Sequence, residues 1–272
     1  DGVVGHDVAE MLNKSISRNP ALSKFNVFVA GLCNDTVGTL MSCAFEEPNC
    51  RIGLIAGTGS NACYIEKIKN IKRLTAYKNA NSANSSNKFA ETSDHMIVNC
   101  EWGNFGADGI ICDVTTDYDK LVDAESTRPG NQIYEKMMGG MYLGEICRHI
   151  INRFHQQRLI FLDEDISILQ LKDSFSATLI SEILGCHQDD LVSIQNIISN
   201  RLELGAMRAD CILLHQICQA VSTRAAQLNA AGIAAIAEMI VDGDQEMQRI
   251  MHEYQNNENN VKKQKIVCGV DG

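Results

Sequence analysis

The residues of this chain whose types and spacing suit chemistry fall into a few short stretches. Asp35 stands between Asn34 and Thr36, directly after an apolar run over residues 27–33. Such a run is expected to form a buried strand. It would present Asp35 at its carboxyl end, where open α/β sheets place ligand crevices, with Asn34 and Thr36 as further polar groups. The alternative is a helix cap. Ser, Thr and Asp are favoured at helix N-termini, and on its own that is the commoner use of Asp35 or Thr36. A second stretch is Gly57-Thr58-Gly59-Ser60-Asn61. Glycines beside hydroxyl residues let backbone N–H groups approach an anion closely, yet the same residues make an ordinary hairpin turn. Glu101, followed by the only tryptophan, Trp102, and by Gly103 and Gly106, can hydrogen-bond a polyol or be a loop acid beside a packing ring. Glu135 falls in the first turn of an expected helix, where an acid also complements the helix dipole.

These residues need elements to position them. A helix is expected over residues 6–18, with Val8, Met11, Leu12 and Ile16 on one face and Asn19-Pro20 ending it. Strands are expected over 27–33, 51–56, 62–66, 96–99 and 265–270. A long helix is expected over 132–157, and Gly139-Gly140 inside it is costly unless close packing requires it. Further helices are expected over 175–184, 191–202, 210–240 and 245–254. The Ala-rich 210–240 segment suggests tight helix packing around Ser222–Ala226 and Ala230–Gly232. Residues 79–87 are a low-complexity Asn/Ser insertion to which no chemistry is assigned, and 255–264 reads as a polar connector.

Composition narrows the class. A length of 272 residues with 45% hydrophobic content supports one large domain, or one and part of another. The net charge of −10 argues against nucleic acid or an anionic membrane surface as the main partner. No apolar run approaches a bilayer-spanning length. The 11 cysteines are odd in number and lack CxxC pairing, and Cys33, Cys63, Cys147, Cys218 and Cys268 sit in apolar runs. They read as buried free thiols of a reducing compartment. The seven histidines lack metal-ligand spacing and read as structural or exposed. The chain begins at Asp1 without an initiator Met, so a targeting signal would lie outside it.

Taken in order, NDTVGT (34–39), LIAGTGSNACYIE (54–66), VNCEWGNFG (98–106), RPGNQIYEKMMGGMYLGEI (128–146), STRAAQL with AAGIAAI (222–236) and GVDG (269–272) resemble the eukaryotic hexokinases. These are glucokinase-type sugar kinases of the actin/Hsp70-like ATPase superfamily. The resemblance covers nearly all of the chain outside the Asn/Ser insertion and residues 163–200. It implies an α/β fold with a ribonuclease-H-like core and many added helices, incomplete here. Residues 1–33 would be a remnant of the small domain and 34–272 most of the large domain.

The implied activity is transfer of the γ-phosphoryl of ATP to the 6-hydroxyl of a hexose such as glucose, the first step of glycolysis, in the cytoplasm. Mg²⁺ would be held mainly through the nucleotide phosphates. By the resemblance, Asp35 matches the general base, and Asn34, Asn61, Glu101 and Glu135 match the positions that hold the other sugar hydroxyls. Gly57, Thr58 and Gly59 match a phosphate-facing turn, Gly269, Asp271 and Gly272 the start of an adenosine-side turn, and Ser181 a nucleotide contact. Phe175-Ser176-Ala177 departs from the family's usual Phe-Glu-Thr. The family's earlier Gly-rich phosphate loop and Thr-Lys sugar segment are not in these residues, so the expectation is an internal piece that is inactive by itself. A non-catalytic sugar-sensing module is the alternative, against which an intact Asp35 counts. An unrelated helical scaffold would fit only the C-terminal half.

Overall fold

In the computed structural model, residues 3, 6–72, 94–243 and 266–272 are described. A mixed four-stranded sheet carries the order β3-β2-β1-β4. Strand β1 (Cys50–Ala56) turns into β2 (Ser60–Lys67), which pairs with β3 (His95–Asn99), each step antiparallel. Strand β4 (Val267–Asp271) returns parallel to β1, with Ile55 opposite Asp271. Because side chains alternate across a strand, β2 serves two cores. Cys63 and Ile65 face one side with Leu40, and Ala62 and Tyr64 face the other with Trp102, Tyr134, Ala225, Ile236 and Ile240.

Helix α1 (Val8–Arg18) buries none of its residues. Helix α2 (Asp35–Glu46) lies on the sheet through Leu40. Gly53 of β1 permits this approach, since a Cβ there would stand 2.4 Å from the Thr36 carbonyl and 2.9 Å from Leu40 Cβ. A helical layer follows: α3 (Asp117–Ala124), α4 (Ile133–Met138), α5 (Gly140–Gln156), α6 (Ala177–Gly185), α7 (Leu191–Leu202) and α8 (Arg208–Gly243). Its core is built on Ile146, Ile151, Phe161, Phe175, Ile183, Ile198 and Leu214. Gly232 of α8 leaves room for Trp102, whose ring would lie 2.5 Å from a Cβ at that position. At Gly232 the tight packing expected of this Ala-rich helix is packing onto the tryptophan.

Several expectations are corrected. Residues 27–33 form no strand, and Val27, Phe28 and Leu32 are exposed, because no neighbouring strand among the described residues pairs with them. Asp35 therefore starts a helix rather than ending a strand. The expected single helix over 132–157 is two helices, broken where Gly139 takes an extended conformation (φ −69°, ψ 137°). All 11 cysteines are free, but Cys33 is exposed and Cys268 only half-buried. Helix α8 is, by length and composition, apolar enough to cross a membrane. Here its Cys211, Leu214, Ile217, Cys218 and Val221 face the helical core, and its Arg224 pairs with Asp119 at 2.8 Å. The expected 245–254 helix, the 255–264 connector and the 79–87 insertion lie outside the described residues.

Candidate functional site

The start of α2 is held by its own cap. Asn34 accepts the Thr36 N–H through Oδ1 at 3.0 Å and also accepts the Thr36 hydroxyl. Asp35 accepts the same Thr36 N–H at 2.8 Å. The capping alternative thus holds for Asn34, and the carboxylate of Asp35 remains exposed on the first helical turn.

The hairpin turn between β1 and β2 is closed by Gly57 N–H donating to the Gly59 carbonyl at 3.0 Å. It sits against the break between α4 and α5. The unsatisfied N–H groups at the start of α5 are met by the turn: Gly140 donates to Gly57 O at 2.9 Å and Met141 to Thr58 O at 3.0 Å. The costly glycine pair follows from this contact. A Cβ at Gly140 would lie 2.8 Å from Gly57 O, and one at Gly139 3.1 Å from Thr58 O. With the turn's carbonyls committed to α5, the N–H groups of Thr58 and Gly59 have no hydrogen-bond partner among the described residues.

On one side of the turn lies a cleft of ≈ 250 Å³ lined by Asn34, Asp35, Asn61, Glu101, Gln132 and Glu135, with Gly59 and Ser60 at its floor. All five residues singled out by sequence for a polyol meet there. Glu101, at φ +50°, accepts from Asn61 Nδ2 at 3.2 Å and from Asn99 Nδ2 at 2.7 Å. Glu135 accepts the Ser60 N–H at 3.4 Å. Behind them Trp102 Nε1 donates to Ser60 Oγ at 3.2 Å, and that hydroxyl donates to Asn229 at 2.7 Å. Gln132 was not anticipated from sequence. It stands just before α4 in the left-handed region (φ 55°), so no helical spacing from Glu135 signals it.

Across the turn is a larger cleft of ≈ 610 Å³, lined by Gly57, Thr58, Gly140, Thr178, Ser181 and Gly272, together with Glu145 and Asp173. Thr178, Gly140, Glu145 and Asp173 were not anticipated there. Gly269 and Asp271 line neither cleft. Gly269 instead lets β4 pass under α2, where a Cβ would meet Cys43 Cβ at 2.7 Å. Asp271 is exposed opposite Ile55.

Thiol chemistry does not suit the first cleft. Burial pushes the Cys100 thiol up to about 11, with Cys63 and Glu101 nearby adding to it, so it stays protonated. Glu125, Glu145 and His149 come together with metal-like spacing, but Arg148 fills the place of a cation, 2.7 Å from Glu125 and 2.8 Å from Glu145. His149 is one of the structural histidines expected from sequence.

With this geometry in view, the comparisons with known proteins are specific. The family model described as hexokinase matches residues 51–272, and a second hexokinase model matches residues 1–45. The chain is 41% identical to mouse (Mus musculus) hexokinase-1 over 238 residues, which is 87% of this chain and 22% of that protein. It is 40% identical to human (Homo sapiens) hexokinase-3 over 238 residues, 87% of this chain and 23% of the relative. The chain thus spans less than a quarter of these curated relatives. Among solved structures, hexokinase from Schistosoma mansoni complexed with glucose superposes with a TM-score of 0.71 at 34% identity, covering 88% of this chain and 50% of the other.

Proposed function

The chain belongs to the hexokinase family, and from that premise we propose that the protein containing it transfers the γ-phosphoryl of ATP to the 6-hydroxyl of glucose or a related hexose. The observation that carries this reading is the pair of clefts divided by the Gly57–Gly59 turn, the smaller one gathering Asp35, two amides and two glutamates. Phosphoryl transfer asks a protein mainly for positioning and electrostatic stabilisation. A wall with free N–H groups between a polyol cleft and a second cleft suits both demands.

Asp35 acts as general base, taking the proton of the 6-hydroxyl as its oxygen attacks. Its exposed position at the start of α2 leaves the carboxylate open to the cleft beside the turn. Asn34, Asn61, Glu101 and Glu135, joined by Gln132, grip the remaining hydroxyls. Amides and carboxylates suit a ring of donor–acceptor groups and reject an analogue that lacks one. The N–H groups of Thr58 and Gly59 and the Thr58 hydroxyl meet the transferring phosphate, and Ser181 and Gly272 lie on the nucleotide side. Of the acids in that cleft, Glu145 is already committed to Arg148. That supports Mg²⁺ riding on the nucleotide phosphates, where it would neutralise developing charge.

Residues 1–33 belong to a smaller lobe and 34–272 to the larger, and closure of the two on the sugar excludes water. The unburied α1 supports this division. The eleven free thiols suit a cytoplasmic setting.

The test is Asp35→Ala in the full-length protein. Phosphorylation of glucose falls at least about 100-fold while glucose binding, read by calorimetry, survives. Near-normal turnover of that variant would refute the assignment.

A further inference from the structure

Asn99 lines neither cleft, yet it joins two residues that do. It ends β3 and pairs in register with Cys63 of β2, so Asn61, two residues earlier, is its diagonal neighbour on the same face of the sheet. That distance is within reach of two amide side chains. Asn61 Nδ2 donates to Asn99 Oδ1 at 2.9 Å and to Glu101 Oε1 at 3.2 Å. Asn99 Nδ2 donates to the same Glu101 Oε1 at 2.7 Å. Asn61 Oδ1 accepts the Ala62 N–H at 2.8 Å.

The chemistry of the groups dictates this arrangement. An ionised carboxylate only accepts, so both amides must turn their nitrogens towards Glu101. Asn99 then has its oxygen left for the second hydrogen of Asn61. The triangle closes in one orientation of each amide. It also braces a glutamate whose backbone stands at φ +50°, a region non-glycine residues occupy only when their surroundings hold them there.

We infer that Asn99 is a positioning residue for the sugar: it locks the Asn61 amide and ties up Glu101 Oε1, leaving Glu101 Oε2 for a hexose hydroxyl. The inference rests on the sugar-kinase reading of the cleft and deepens it. Asn99 need not touch the substrate. Its work is to keep two contacting groups from pairing with water or with each other in the wrong orientation.

The test uses the full-length protein with Asn99→Ala and Asn99→Asp, reading glucose affinity by calorimetry, KM for glucose and for ATP, kcat and thermal midpoint. Asn99→Ala is expected to weaken glucose binding about tenfold, the scale of one lost net hydrogen bond to a charged group, while KM for ATP and the thermal midpoint stay near wild type. Asn99→Asp sets a second carboxylate against Glu101, with Asp35 and Glu135 across the cleft and the neutral Cys100 thiol beside it. Binding is weak at pH 8 and recovers towards pH 6, because a proton held between the two acids restores the lost donor. Asn99→Ala has no such recovery. Wild-type glucose affinity in Asn99→Ala overturns the inference. So does a parallel loss of glucose binding, ATP KM and thermal midpoint, or an Asn99→Asp variant with no recovery at low pH. Calorimetry reads Asn99 even if the protein binds glucose without turning it over, which would overturn the kinase reading alone. A wild type that binds no glucose overturns both.

Discussion

Gly140 donates its backbone N–H to the carbonyl of Gly57 at 2.9 Å, so the hairpin turn and the start of α5 form one joint. The joint fixes the wall between the two clefts. It also explains why a glycine pair interrupts what would otherwise be one long helix.

Gly140→Ala tests the joint. The added Cβ would meet Gly57 O at 2.8 Å, a backbone atom that cannot swing aside. The expected cost is about 1–3 kcal/mol of stability. KM for ATP should rise more than KM for glucose, because the turn's free N–H groups are displaced while the floor of the sugar cleft is held from β2. Steady-state kinetics with a urea titration checks this, and equal effects on both substrates would contradict the joint.

Gly59→Ala makes the opposite split. Its Cβ would fall 2.1 Å from Glu135 Oε1, the far end of a flexible side chain. The side chain yields, so the thermal midpoint changes little. The carboxylate is pushed off the Ser60 N–H and out of the sugar cleft, and glucose KM is expected to rise about tenfold. Unchanged glucose KM would mean that Glu135 does not hold the sugar.

His149 gives stability a pH dependence. Burial, and then the adjacent Arg148, hold its pKa below the ordinary 6.5, with Glu125 and Glu145 opposing the shift only in part. The unfolded chain therefore binds more protons in the window below 6.5. The stabilisation is fully present above that value and is lost as pH falls towards the lowered folded value. Urea midpoints measured from about pH 7.5 down to about pH 5 should fall less in His149→Asn than in wild type. Parallel curves would show that His149 does not carry the effect.

Much of the site was legible because its residues sit in short local patterns. Asn34-Asp35, Gly57–Asn61 and Glu101 each lie within a few residues of an element boundary, and the 51–56, 62–66 and 96–99 strands follow from apolar composition alone. The failures have a common cause. Residues 27–33 have strand composition, but a strand needs a hydrogen-bonded neighbour, and none among the described residues supplies one. The close packing expected at Gly139-Gly140 holds, and what local pattern misses is that Gly139 ends one helix so that the next can meet the turn. Gly269 shares a motif with Gly272 but packs under α2, while Gly272 reaches the cleft.

The amino-acid sequence by itself determined which groups are available: the carboxylates, amides and glycines, their local turns and caps, and the family to which their order belongs. Only the tertiary structure decided that Asp35, Asn61, Glu101 and Glu135, up to a hundred residues apart along the chain, line one cleft, and that Asn99 braces two of them from outside it. Local pattern cannot encode that convergence. It arises where β1, β2, α2 and α4 pack, through contacts such as Gly53 on Leu40 and Gly140 on Gly57 that exist only once distant segments bury their apolar faces together.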